Sequence, residues 1–197
     1  MLHLPLKTTE KHELHKSLYR FVEMAYSTHQ AEDHRDAFHD AAQLRERVRQ
    51  ATLTEKGAAE TVRLLVRYER MLRTMRSRFG TENIVAGAEP WASFTWRDAF
   101  RTKEQVSRPE LTFESACVLF NLAAALSYSA TLEDRSTPTG LRTACQAFQC
   151  APKPNDSFPC HSECTVAGRL GAVPLSSPLR RLRVALRPLP SARRHAV

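Results

Sequence analysis

Apolar side chains recur every three or four positions through most of residues 1–150, the spacing that lines them along one side of a helix. Leu14, Leu18, Phe21, Val22 and Ala25 fall on one such stripe and predict an amphipathic helix of roughly 15 residues. A second helix is expected from about Ala37 to Ala51, with Ala37, Ala41, Leu44, Val48 and Ala51 on one side and Asp40, Arg45, Arg47 and Arg49 largely elsewhere. Its small stripe predicts a close approach to its neighbour. The third, from about Thr54 to Phe79, is the clearest. Ala58, Val62, Leu65, Tyr68, Leu72, Met75 and Phe79 step along one face, Arg63, Arg67, Arg70 and Arg78 line the other as a solvated face, and Gly80 suits a helix-ending cap.

The period then changes. Phe94 and Trp96 alternate within Ser93–Phe100, which suits a short strand, and Leu2, Leu4 and Leu6 alternate within Leu2–Thr8. The two are expected to pair, with Pro5 placing the N-terminal strand at an edge. From Phe113 to about Thr131 the chain is apolar nearly all round, with Ala116, Cys117, Phe120 and Ala124 on one side and Val118, Leu122, Ala125 and Leu126 on the other. Such a helix belongs at the centre of a core. Pro138-Thr-Gly140 opens a last helical stretch, Leu141–Cys150, with Leu141, Ala144, Cys145 and Phe148 as its stripe. The pattern therefore predicts a mainly α, antiparallel helical chain with a small N-terminal antiparallel β element.

Proline sets the boundary of that region. Pro152, Pro154, Pro159, Pro174, Pro178, Pro188 and Pro190 crowd into the last 47 residues, and each removes a backbone donor and clashes with the preceding helical turn. The expected division is a helical domain over 1–151 and a Pro/Arg-rich, disordered tail over 152–197. Charge divides at the same place: residues 151–197 carry +6 of the net +8, leaving +2 on residues 1–150. The basic balance thus belongs to the tail, which argues against nucleic acid as the partner of the helical part and leaves a tail that binds anionic membrane or nucleic acid as an alternative.

The longest nearly apolar run, Ala116–Ala130, is shorter than the roughly 20 residues a bilayer crossing needs, so no transmembrane span is expected. The N-terminus offers no basic segment followed by a long apolar one, which predicts a cytoplasmic chain. Five cysteines are too few and too scattered for a disulfide scaffold.

Chemistry-bearing constellations are sparse. Cys160-His-Ser-Glu-Cys164, with Cys145 and Cys150 upstream, is a weak zinc pattern because it lacks a second well-spaced pair, and Cys145 reads as a small core residue. His12 and His15 have no third ligand and read as solvated. His29, His34 and His39 lie in or beside a polar connection with no nucleophile to serve. The glycines form no phosphate loop, so neither an enzyme, a cofactor, a metal site nor a small-molecule substrate is expected. Asn121, polar at the centre of an apolar helix, is expected to hydrogen-bond a neighbouring backbone, and Phe94 and Trp96 to anchor the core.

Three stretches, Phe94-Thr-Trp-Arg-Asp-Ala-Phe100, Phe113-Glu-Ser-Ala-Cys-Val-Leu-Phe-Asn-Leu-Ala-Ala-Ala-Leu126 and Gly140-Leu-Arg-Thr-Ala-Cys-Gln-Ala-Phe-Gln-Cys150, strongly resemble the BRO-one domain family of Alix, PalA and rhophilin type. Leu4-Pro-Leu-Lys-Thr-Thr resembles the family's start, and Leu44-Arg-Glu-Arg-Val-Arg-Gln-Ala51 its second-helix pattern. The match keeps its order from about residue 2 to residue 151. The resemblance implies a tetratricopeptide-like solenoid core and an incomplete BRO-one-like domain, since the family's usual continuation is replaced after Ala151 by Pro-Lys-Pro-Asn-Asp. It also implies a non-enzymatic adaptor of the ESCRT endosomal sorting pathway, cytoplasmic and peripheral to endosomes. Its partner would be an ESCRT-III subunit of Snf7/CHMP4 type, whose C-terminal helix docks in an apolar groove. In the family much of that partner patch lies on later helices, so the alternative is a fragment without ESCRT binding. The helix Phe113–Thr131 is expected to show surplus apolar surface, with Leu122 and Leu126 as partner-contacting residues.

Overall fold

A computed structural model describes residues 3–79 and 92–149. Strand β1 (Thr8–Thr9) leads into helices α1 (Leu14–Ala25), α2 (Thr28–Asp33), α3 (Arg35–Arg49) and α4 (Ala58–Phe79). Strands β2 (Phe94–Arg97) and β3 (Gln105–Arg108) follow, then α5 (Leu111–Leu132) and α6 (Pro138–Gln149). The three strands form one antiparallel sheet in the order β1-β2-β3, with Thr9 opposite Trp96 and Trp96 opposite Val106.

The α4 stripe is buried from Ala58 to Met75 as its period predicts, and Leu64, Val66 and Met71 widen it into a face that packs on α5. Gly80 and the side chain of Phe79 lie outside the described residues, as do residues 150–197. Helix α5 is long and apolar enough to cross a bilayer, and much of that apolar surface is used in the core instead, against α4, α6 and β2. Leu14, Leu18 and Val22 on α1 meet the small α3 stripe of Ala37, Ala41, Leu44 and Val48, which Phe38 supplements.

Several elements differ from the sequence reading. Among the described residues of the N-terminal segment only Thr8 and Thr9 enter the sheet; Leu4 is exposed and Leu6 half-buried and neither is in a strand, while Leu2 lies outside the described residues. Strand β3 was not predicted because all four of its residues are exposed and carry no alternating pattern. Helix α2 was not predicted either; it buries only Ala31, and its definition comes from the Ser27 side chain, which accepts from the Gln30 amide at 3.2 Å.

Two corrections concern which side of a helix faces inward. Arg45, placed by the sequence reading away from the α3 stripe, is 2% exposed. It lies four residues after Ala41 and three before Val48, on the buried side, because an acidic partner waits in the core. Helix α6 is turned by one residue from the predicted stripe. Gly140, Thr143, Ala144 and Ala147 face inward, while Leu141 (51%), Cys145 and Phe148 (41%) are exposed. Small residues take the inner face because the approach is tight: a Cβ at Gly140 would collide with the Asp134 carbonyl. Cys145 is accordingly a surface thiol and not a core residue.

Candidate functional site

The sheet, α3, α4 and α5 meet at one buried polar cluster. Glu114 in the first turn of α5 accepts from Arg45 Nε at 3.1 Å and from the Tyr68 hydroxyl at 2.7 Å through Oε1, while its Oε2 accepts from the indole of Trp96. Arg45 uses its remaining nitrogens on the N-terminal strand, donating to the Glu10 carbonyl at 3.0 Å and the Thr9 hydroxyl at 2.9 Å, and its guanidinium lies over the Phe94 ring. Every charge is matched and each heteroatom has a partner, the condition under which a buried ion pair is tolerated. Burial, and then the nearby Glu114 carboxylate, holds the Tyr68 phenol protonated far above its ordinary range. The Cys117 thiol, one turn along, is pushed up to about 12 mainly by burial and next by Glu114. Both groups are thereby held in their protonated forms.

Two further polar groups on α5 hold neighbouring elements. Asn121 brackets the Lys7 peptide, its Oδ1 accepting from the Lys7 amide at 2.7 Å and its Nδ2 donating to the Lys7 carbonyl at 2.9 Å, which is the backbone role expected of it. Lys7 extends the link by pairing with Asp98 at 3.1 Å and lying over Phe120. Ser115 donates to buried Glu69 of α4, which also takes Arg73 at 3.2 Å. Burial raises the Glu69 carboxyl above the usual range, although Ser115 and Arg73 draw it back.

Leu122 and Leu126 are 0% and 4% exposed. They fill the core beneath the helices, so the surplus apolar surface expected at these positions is not there. Phe94 and Trp96 are core anchors as expected. Apolar side chains that are exposed lie elsewhere: Phe100 and Val106 are exposed at the sheet, Leu132 is exposed at the end of α5, and Leu141, Cys145 and Phe148 share the outward face of α6 at spacings of four and three. The sequence signal for that face was present, since these residues were read as a stripe, but its direction depends on Gly140.

The histidines separate into different settings. His12 is half-buried beside Phe94, with its Nε2 3.1 Å from the Ser17 hydroxyl, and burial, then Arg45, lowers its affinity for a proton. His29 pairs with Asp33 at 2.9 Å. His15 and His39, from different helices, stack on one another, a proximity that nothing in their sequence spacing signals. Among the described residues no three His, Cys, Asp or Glu side chains converge to hold a metal, and the weak zinc pattern at Cys160–Cys164 lies outside those residues.

A family model described as a BRO1-like domain matches residues 1–153. The chain is 30% identical over 155 residues to the vacuolar-sorting protein BRO1 of Arabidopsis thaliana, covering 77% of this chain and 18% of that protein. It is 31% identical over 173 residues to the ALG-2 interacting protein X of Dictyostelium discoideum, which covers 20% of that protein, and 32% identical over 149 residues to Rhophilin-2-A of Xenopus laevis. Among solved structures it is similar to the ALIX BRO1 domain in complex with CHMP4C, with TM-score 0.64, 25% identity and coverage of 77% of this chain and 43% of that one. The matched stretch is thus about a fifth of these curated relatives.

Proposed function

Since the chain belongs to the BRO1-like domain family, we propose that it works as a non-enzymatic adaptor in ESCRT-dependent endosomal sorting, cytoplasmic and peripheral to the endosome, that binds the C-terminal helix of an ESCRT-III subunit of Snf7/CHMP4 type. The observation that carries this reading is the overlap with a BRO1 domain solved with CHMP4C, at TM-score 0.64 and 25% identity. The names of the Arabidopsis and Aspergillus fumigatus relatives, both vacuolar sorting proteins, support the pathway.

The surface offered to that helix is the outer face of α6. Leu141, Cys145 and Phe148 make a two-turn apolar strip able to receive the i, i+3, i+4 anchors of an amphipathic helix. Leu122 and Leu126 are buried at 0% and 4% exposure, which favours the outer face of α6 over them as the contact. Titration of a Snf7/CHMP4-type C-terminal helix peptide into the full chain tests this. Saturable binding that is lost in a Leu141→Asp, Phe148→Asp variant of unchanged helicity supports it, and no binding at millimolar peptide refutes it.

A second reading, a segment of the family fold without its own ESCRT-III contact, is favoured by one observation: the match spans only 43% of the chain solved with CHMP4C. Peptide binding to that longer relative but not to this chain would select it.

A further inference from the structure

On the outer side of α1 and α3, the imidazoles of His15 and His39 stack with centroids 4.6 Å apart and planes inclined by 24°. They line a half-open cavity of about 260 Å³ together with Lys16, Tyr19, Arg35 and Phe38. Phe38 is buried and supplies an apolar part of the lining, and the other side chains carry polar groups. The permanent charges of this lining are already matched. Lys16 pairs with Glu13 at 2.6 Å, Arg35 with Glu32 at 3.1 Å, and the Tyr19 hydroxyl donates to the same Glu32 at 3.3 Å, with the Arg35 guanidinium over the Tyr19 ring. With both imidazoles neutral these groups sum to zero, and each proton taken up adds one positive charge. At His15 that proton is resisted. Burial, and next His39, lowers the proton affinity of His15; Lys16 adds to the lowering, and Glu13 opposes it. An anion seated against the ring edges would remove the resistance and share the N–H donors of both rings with Lys16 and Arg35.

We propose that this cavity is a proton-coupled oxyanion site that takes a phosphate monoester, carried on a phosphorylated lipid headgroup or free in solution. The volume admits a tetrahedral oxyanion and a small attached group, and the aromatic lining suits a ring or alkyl linkage. Binding and protonation reinforce one another: the anion raises the histidine midpoints, and acidification tightens the anion.

The test is an NMR titration of the imidazoles of His15 and His39 in the full chain, in chloride, sulfate and phosphate at equal ionic strength. Sulfate keeps its charge across the range, so any pH dependence it shows belongs to the protein. Both midpoints should rise in sulfate and in phosphate, and sulfate affinity should grow on acidification, by up to about tenfold per pH unit for each histidine that takes up a proton on binding. The His15→Gln, His39→Gln double variant should lose that pH dependence and most of the affinity. Vesicles of phosphatidylcholine containing a phosphorylated phosphatidylinositol, set against vesicles containing phosphatidylserine, separate the two sources. Capture only by the former at about pH 6, inside the histidine range, assigns a lipid headgroup, and soluble binding without capture assigns free phosphate. Identical midpoints in all three salts would overturn the proposal. Sulfate binding that persists unchanged in the double variant would overturn it as well, by placing the anion elsewhere, for example on the arginines of residues 169–194.

Discussion

Arg45 and Glu114, 69 residues apart in sequence, meet at 3.1 Å with side chains 2% and 0% exposed. The pair joins α3 to α5, and through the other nitrogens of Arg45 it holds β1 against both. Removing one member leaves the other charged, buried and unmatched. Glu114→Ala and Arg45→Ala are each expected to destabilise the chain by about 3–5 kcal/mol, while a double replacement by apolar residues of similar volume should recover much of the loss. Urea unfolding of the three variants measures this; singles costing less than about 1 kcal/mol would remove the pair from the centre of the fold.

Asn121 is expected to act on the N-terminus at a distance. Asn121→Leu matches the volume but strands the Lys7 amide and carbonyl, a loss of about 1–3 kcal/mol for buried groups left unpaired. Hydrogen exchange should show the Lys7 amide losing protection before the centre of α5 does. Equal loss along the whole chain would mean that Asn121 acts through the core and not through the Lys7 backbone.

Gly140 permits α6 to approach the Asp134 carbonyl, so Gly140→Ala should lower the melting temperature despite the better helix propensity of alanine. Overpacking of this kind costs about 1–3 kcal/mol. An unchanged or raised melting temperature would show that the connection between α5 and α6 yields easily.

The Asp98 carboxyl is held down to about 2, first by the amides of Phe100 and Arg101 and then by Lys7. A carboxyl whose folded midpoint is depressed binds its proton more readily when unfolded, so its stabilising contribution is present above about pH 4 and fades as pH falls toward 2. Carbon-detected NMR should find the Asp98 midpoint near that value. Lys7→Met should raise it only in part, because the two amides remain. A midpoint at the ordinary carboxylate value would contradict the turn geometry.

Apart from α2, the helices of this fold were legible because apolar side chains at spacings of three and four have only one common explanation. The family resemblance was legible for a different reason, the ordered stretches around Phe94, Cys117 and Gly140. What escaped was decided between elements. Arg45 carries the same charge as Arg47 and Arg49, and only Glu114, far along the chain, determines that it turns inward. Both the Leu141–Phe148 stripe and the Gly140–Ala147 stripe have helical period, and the choice rests on a backbone clash at Gly140. Leu122 and Leu126 looked surplus because the cover given by α4 and α6 could not be counted from composition. The His15–His39 stack needs two helices set side by side, which no local pattern encodes.

The docking claim is tested most directly by methyl and backbone NMR of the full chain during addition of a Snf7/CHMP4-type C-terminal helix peptide. The outer face of α6 predicts saturable shifts centred on Leu141, Cys145 and Phe148, with small or no shifts for the buried Leu122 and Leu126 methyls. A spectrum unchanged at millimolar peptide, or shifts confined to residues away from α6, would contradict it.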